Sequence, residues 1–275
     1  MQPFFSIIVV CLNPGEKLRS SLESIKKQTF RDYEVVIKDG FSTDGSLEAI
    51  GQVFPEVYLI QEKDTGIYDA MNQAVCKSTG KYVYFLNCGD LFYSETVLEE
   101  MAAFIKASSA YTGKEPGIYY GNIYERLTGQ QVASNPQIDA FGCYRNVPCH
   151  QACFYSRELL LWHPFEIRYK VRADYEQFLW CFFVGQKEKS VSFAYKNMLI
   201  ADYEGGGFSE TGENRKRSAA EHKEITGKYM SSLQLFKYKA VLCLTLAPLR
   251  TYLAENEKTA GFYNGLKKCI YRLKK

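Results

Sequence analysis

An apolar run that stops on an acid constrains this chain more than any other feature. Residues 82–86 read Tyr-Val-Tyr-Phe-Leu and run into Asn87-Cys88-Gly89-Asp90. A short, unbroken run of β-branched and aromatic residues predicts a buried strand, and the polar tip puts Asp90 at its carboxyl end. In open α/β sheets that edge is where ligands bind. Two more acids arrive in the same way. A strand over 33–38 ends at Asp39-Gly40, and Asp64-Thr65-Gly66 forms the turn before a helix at Ile67. Three carboxylates delivered to one edge make a polar site, not a core.

The first hundred residues alternate strand and helix. Strands are expected over 6–10, 33–38, 57–60 and 82–86. Between them, Leu18, Leu22 and Ile25, then Ile67, Met71, Ala74 and Val75, then Leu98, Met101, Ala102 and Ile105, fall at helical spacing. Repeated βα units imply a mixed, mostly parallel sheet flanked by helices. From about Gly113 the pattern changes to short aromatic strands (118–124, 152–155, 191–195) around a helix near 174–184. This reads as a second half grown onto the same sheet. The expected organisation is 1–112, 113–227 and a helical C-terminal tail, 228–275.

Hydrophobic residues at 46% with 24% charged exclude a disordered chain. Nine cysteines without a C-x-x-C pair, and Cys149 and Cys153 around His150 with no second half of a zinc pattern, point to reduced thiols in the cytoplasm. The first strand starts too early to leave room for a signal peptide, and no apolar run reaches the roughly 18 residues that span a bilayer. The tail from Lys228 holds ten Lys or Arg against Glu255 and Glu257, while the whole chain carries only +3. A basic tail on an acidic body suits a surface partner for the tail and excludes a nucleic-acid-binding body.

Four motifs in order carry a resemblance: Cys11-Leu12-Asn13; Val36-Ile37-Lys38-Asp39-Gly40-Phe41-Ser42-Thr43-Asp44-Gly45-Ser46; Asp64-Thr65-Gly66-Ile67-Tyr68-Asp69-Ala70-Met71-Asn72; and Phe85-Leu86-Asn87-Cys88-Gly89-Asp90. Together they resemble family 2 glycosyltransferases of the GT-A (Rossmann-like) fold, especially bacterial polysaccharide-assembly enzymes. The likeness is specific over the first hundred residues and looser to about Gly212. It implies an inverting transfer from a nucleoside-diphosphate sugar, with a UDP-sugar as the leading donor, to a saccharide or lipid-linked hydroxyl in cell-surface polysaccharide biosynthesis.

The resemblance also implies roles. Asp90 matches the last acid of the family's Asp-x-Asp motif, which holds a divalent metal, Mn²⁺ or Mg²⁺, on the donor diphosphate; hard cations take oxygen ligands. The earlier motif positions differ, being Asn87 and Gly89. Asp39 matches the acid that hydrogen-bonds the nucleobase, and Asn13 stands where the family contacts the nucleoside. Asp69, Asn72 and Asn87 are further candidate donor contacts. Relatives carry an arginine where this chain has Met71, so that arginine's role does not transfer. Asp174, in Arg172-Ala173-Asp174-Tyr175-Glu176, aligns with the general base, with Glu176 in reserve. His150 resembles a residue lining the acceptor side. Gly205-Gly206-Gly207-Phe208-Ser209 resembles a segment closing over phosphates, with charge from Arg215 or Lys216.

Each of these has a plainer reading. Asp90, Asp39 and Asn13 serve in turns and caps, Asp174 complements a helix dipole, and His150 is structural. His222 is a helix-surface residue unless it ligates a metal. For the tail, apolar residues among lysines suit an interfacial helix on an anionic inner membrane, and packing on the domain is the alternative. Two other functions share these features. A nucleotidyltransferase of related fold opens with a phosphate loop that 11–17 lacks. A non-catalytic scaffold subunit is favoured only by the incomplete acid motif at 87–90.

Overall fold

The computed structural model describes residues 2–112, 117–206 and 212–245. The chain divides into two compact units, Met1–Ile225 and Thr226–Lys275.

The first unit opens with the expected alternation: β1 (Phe5–Cys11), α1 (Glu16–Lys26), β2 (Tyr33–Asp39), α2 (Glu48–Val53), β3 (Tyr58–Gln61), α3 (Ile67–Lys77) and β4 (Tyr82–Phe85). These strands lie side by side as β3-β2-β1-β4, all parallel. Parallel strands covered on both faces are buried along their length, which is why β4 reads as an unbroken apolar run. α1 shows the periodic side of the same logic. Leu18, Leu22 and Ile25 are fully buried against the sheet, and each contributes about 1.5–3 kcal/mol over an exposed position.

β5 (Leu91–Phe92), α4 (Val97–Thr112), β6 (Ile118–Glu125), β7 (Gln130–Val132), α5 (Ala140–Arg145), β8 (Cys153–Ser156), α6 (Arg157–Trp162), α7 (Ala173–Trp180), α8 (Gln186–Glu188), β9 (Phe193–Tyr203) and α9 (Gly212–Tyr229) follow. A π-helical turn, Cys181–Gly185, joins α7 to α8. The sheet order is β3-β2-β1-β4-β8-β6-β9-β5, with β7 beside β6. β8 runs antiparallel to both β4 and β6, so it stitches the second half onto the first. Among the described residues six of the nine strands point one way. The fold is mixed α/β, as expected.

Three local differences have physical causes. The strand expected over 191–195 extends to Tyr203, because Tyr195 and Asn122 hydrogen-bond Asn197 and absorb the polar interruption at Lys196-Asn197. Its ladder with β6 shifts register at that point. The strand expected from 152 begins at Cys153, since Ala152 completes a 3₁₀ turn with His150. β5 and β7, of two and three residues, are too short to leave a period in the sequence.

In the second unit, α10 (Ser232–Leu244) starts at a capping box in which Ser231 and Gln234 satisfy each other's backbone N–H. Leu233, Phe236 and Leu244 are exposed on it. The tail sequence beyond 245, and Gly207-Phe208-Ser209, lie outside the described residues.

Candidate active site

The carboxyl ends of the parallel strands are held in register: Cys11 lies opposite Asp39, and Asp39 opposite Gln61. Beside this edge a cavity of about 860 Å³ opens between the strand tips, the loops before α5 and α7, and the first turns of α9. Asn87, Asp90, His150 and Asp174 all line it. Residues from the two halves of the sequence therefore meet in one space.

Asp90 is almost completely buried, and its Oδ1 accepts from the Glu204 N–H at 2.8 Å. Burial lifts its carboxyl to about 6; the Glu204 N–H and Arg126 oppose the rise, while the Glu204 charge adds to it. Gly89 makes the approach feasible. Its φ is +98°, and a Cβ there would lie 2.6 Å from Glu204 Oε2. Glu204 in turn meets Lys17 Nζ at 2.6 Å. Asn87 Oδ1 is buried without a hydrogen-bond partner. An orphaned oxygen beside a carboxylate is a donor set for a hard cation. Among the described residues no group of three His, Cys, Asp or Glu is placed to hold a metal. An ion here would thus take its remaining ligands from water or a bound phosphate.

Asp174 lies in the first turn of α7, on a loop pinned from two sides. The Tyr68 hydroxyl reaches Asp174 Oδ1 at 2.8 Å and the Val171 carbonyl at 2.9 Å. Burial, then the Asp174 charge, holds that phenol well above its ordinary pKa, so it remains a donor. From α9, the buried Glu221 carboxylate accepts from three successive backbone amides, Lys170, Val171 and Arg172, at 2.9, 3.1 and 2.9 Å. Sequence reading missed both supports. Tyr68 stands inside the Asp64–Asn72 motif with no role implied for it, and Glu221 left no local signal because its partners lie about fifty residues away.

His150 stacks on Phe85 at 5.0 Å, and its Nδ1 lies 3.3 Å from the Tyr155 hydroxyl. Its Nε2 is buried and unpartnered. Burial lowers its pKa against the opposite pull of Asp174, leaving a neutral ring at pH 7.

The other expected contacts stand off the cavity wall. Asp39 is fully buried and accepts from the Ser42 hydroxyl and N–H, and from Gln61. Burial alone would raise its pKa, but these hydrogen bonds outweigh it and lower the value. Asn13, in the left-handed region at φ 50°, ties its loop to Ser42 and Thr43. Asp69 accepts from the Thr65 N–H and hydroxyl. The Asn72 amide is used in both directions on the Phe165 backbone, at 2.8 and 3.0 Å.

Two reserve readings are corrected. Glu176 is fully buried against His163 at 3.0 Å, so it cannot reach an acceptor. His222 is neither exposed nor placed as a ligand: its Nε2 donates to the Tyr144 carbonyl at 2.8 Å, and its ring stacks on Tyr175.

Known proteins agree with this architecture. The family model described as Glycosyl transferase family 2 matches residues 6–161. A PGL/p-HBAD biosynthesis glycosyltransferase of Mycobacterium bovis (strain BCG / Pasteur 1173P2) is 36% identical over 216 residues, 76% of this chain and 80% of that protein. The mannosyltransferase PcManGT from Pyrobaculum calidifontis, in complex with GDP-Man and Mn²⁺, superposes with a TM-score of 0.62 at 16% identity, covering 96% of this chain and 84% of the other. S. aureus TarS 1-349 in complex with UDP-GlcNAc gives 0.57 at 16% identity, covering 94% and 69%. At such identities these two likenesses concern the fold.

Proposed function

Since the chain belongs to glycosyltransferase family 2 and is a transferase of the GT-A fold, we propose that it inverts a sugar from a nucleoside-diphosphate donor, a UDP-sugar first, onto a saccharide or lipid-linked hydroxyl. The observation that carries this reading is that Asp90 and Asp174 line a single cavity. One carboxylate marks the leaving group's side and the other the acceptor's. The relative's name, a biosynthesis glycosyltransferase, supports a biosynthetic role, and the resemblance of the four motifs supports cell-surface polysaccharide assembly as that role.

In this mechanism Asp174 takes the proton of the acceptor hydroxyl as its oxygen attacks the anomeric carbon. Oδ1 is held by Tyr68, which leaves Oδ2 for the proton. The new C–O bond forms as the bond to the diphosphate breaks, and the diphosphate departs with that electron pair. Asp90, helped by the Asn87 Oδ1, would hold a divalent ion, Mn²⁺ or Mg²⁺, whose charge stabilises the departing diphosphate. His150, neutral and with a free Nε2, is a hydrogen-bonding partner for a sugar hydroxyl. Asp39 reads a nucleobase edge when Ser42 gives up its bonds to it. Asn13 shapes the loop beside that edge, and Asp69 and Asn72 support the donor side by fixing the ends of the Asp64–Asn72 segment.

The test combines binding and turnover. UDP, GDP, dTDP and CDP, each with and without Mn²⁺, are screened for a rise in melting temperature, because a ligand bound only to the folded state stabilises it by mass action. One nucleotide that stabilises only with metal supports the donor assignment. Asp174→Asn should abolish transfer while sparing that shift. No stabilisation by any nucleotide would favour the scaffold reading instead.

The exposed Leu233, Phe236 and Leu244 on α10, among Lys237 and Lys239, support peripheral contact of a cytoplasmic enzyme with an anionic membrane. Among the described residues no helix is long and apolar enough to cross one. Removal of residues 228–275 should end co-sedimentation with anionic vesicles, and unchanged binding would exclude the tail.

A further inference from the structure

The cavity wall around Asp174 is basic beyond what a neutral acceptor needs. Arg145, Lys170, Arg172 and Arg215 line it, and among the described residues none of the four pairs with a carboxylate. The remaining lining cation, Lys17, is paired with Glu204 at the strand tips.

α9 gathers three of these cations. Arg215, Ser218 and His222 follow one another at i, i+3 and i+7, along one helix face. Ser218 accepts from Arg172 Nε through its hydroxyl at 2.7 Å and its carbonyl at 3.2 Å. Arg172 also lies over the Tyr175 ring, and among the described residues its two terminal NH₂ groups make no hydrogen bond. His222 binds the carbonyl of Tyr144, next to Arg145. Among the described residues the Lys170 ammonium, two residues before Arg172, hydrogen-bonds only the Thr65 carbonyl, at 3.5 Å. The Glu221 grip on the Lys170–Arg172 backbone fixes where these side chains start.

Four like charges lining one cavity favour an anion within it, and planar guanidinium forks match phosphate oxygens. The other lining acids, Asp90, Glu125 and Glu204, stand at the tips of the sheet, where the proposed reading puts the donor diphosphate. We propose that Arg145, Lys170, Arg172 and Arg215 form an acceptor subsite for phosphate, so that the acceptor is a phosphate-bearing saccharide and not a neutral one. This rests on the transferase reading above.

The test is calorimetric titration of the full chain, saturated with UDP and Mg²⁺ so that the donor's anion site is filled. Glucose 1-phosphate is the probe and methyl glucoside the neutral control. Glucose 1-phosphate should bind saturably and at least about tenfold more tightly than the control. The variant Arg145→Gln should weaken it several-fold and leave UDP affinity unchanged. Glucose joined to a prenyl diphosphate gives a second arm: tighter binding than the free sugar phosphate assigns the site to lipid-linked acceptors, equal binding to soluble ones. Failure of glucose 1-phosphate to bind the UDP-loaded protein overturns the subsite. So does a parallel loss of UDP affinity in the variant, which would give these cations to the donor. If the unaltered protein binds no nucleotide, the transferase reading itself fails, and this inference with it.

Discussion

The Tyr68 hydroxyl lies 2.8 Å from Asp174 Oδ1, joining α3 to the first turn of α7 across 106 residues of sequence. A phenol kept protonated by burial is a fixed donor, and a carboxylate held on one oxygen presents the other in a set direction. A hydrogen bond to a charged group contributes about 1.5–3 kcal/mol. Tyr68→Phe should therefore lower kcat by roughly 10- to 100-fold with little change in the donor KM. Steady-state kinetics with both substrates varied would show it. An unchanged kcat would mean that Asp174 is oriented without Tyr68, or is not the base.

How much of this was legible beforehand depended on the range of each interaction. The β1–β4 strands and the helices between them could be read because each buries a local period: Leu18, Leu22 and Ile25 announce α1 by spacing alone. The pattern placed Asp90 at the end of a strand and Asp174 at the start of a helix, while their roles in one site came from the family resemblance. Asp39 shows the opposite case. Its position at the tip of β2 was readable, but its enclosure by Ser42 and Gln61 depends on a turn closing back over the strand end. Glu221 was invisible for the same reason, since its three amide partners are brought to it only by tertiary packing. The aromatic stack under His150, and the stack that fixes His222, belong to that class as well.

The pH behaviour of Asp90 gives a second prediction. Its carboxyl titrates near 6 in the folded chain against an ordinary 3.8. Between those values the folded state binds more protons than the unfolded one, so stability falls as pH rises. The loss is complete above about 6 and absent below about 4, and amounts to a few kcal/mol at most, on the order of 3. Asp90→Asn keeps an acceptor for the Glu204 N–H and removes the buried charge. It should melt higher than the parent at pH 8 and level with it at pH 4. A divalent ion needs the ionised carboxylate, so metal-dependent nucleotide binding should strengthen as pH rises through about 6 and vanish in the variant. Melting curves at the two pH values, with and without Mn²⁺, separate the two effects.

Glu221 supports a third. Truncation at Glu221→Ala leaves three backbone N–H groups without the carboxylate that pairs them, at about 1–3 kcal/mol for each one that water does not reach. A loss of roughly 2–4 kcal/mol in stability is expected, together with loss of transfer as the Asp174 loop relaxes. Glu221→Gln, which retains acceptor oxygen but no charge, should recover part of both. Denaturant melts of the two variants measure the difference. Equal stability of Glu221→Ala and the parent would remove the clamp.

Gly89 and Gly80 make a matched pair for the last prediction. At Gly80 a Cβ would lie 2.6 Å from the Ser6 backbone N and 2.7 Å from the Phe5 carbonyl carbon, against the buried backbone of β1, which cannot move aside. Gly80→Ala should therefore depress the melting temperature strongly or prevent folding. At Gly89 the obstacle is the movable end of a side chain, Glu204 Oε2 at 2.6 Å, followed by Lys17 Cδ at 3.2 Å. The backbone cost is that of a non-glycine residue at φ +98°, about 1–3 kcal/mol. Gly89→Ala should fold, but with the Lys17–Glu204 pair displaced and the Asp90 loop shifted. Under the proposed roles, nucleotide affinity in the presence of Mn²⁺ should then fall by more than affinity in its absence. Titration of UDP into each variant, with and without the ion, decides this. Equal losses in both conditions would place the effect of Gly89 on the nucleotide and not on the Asp90 site.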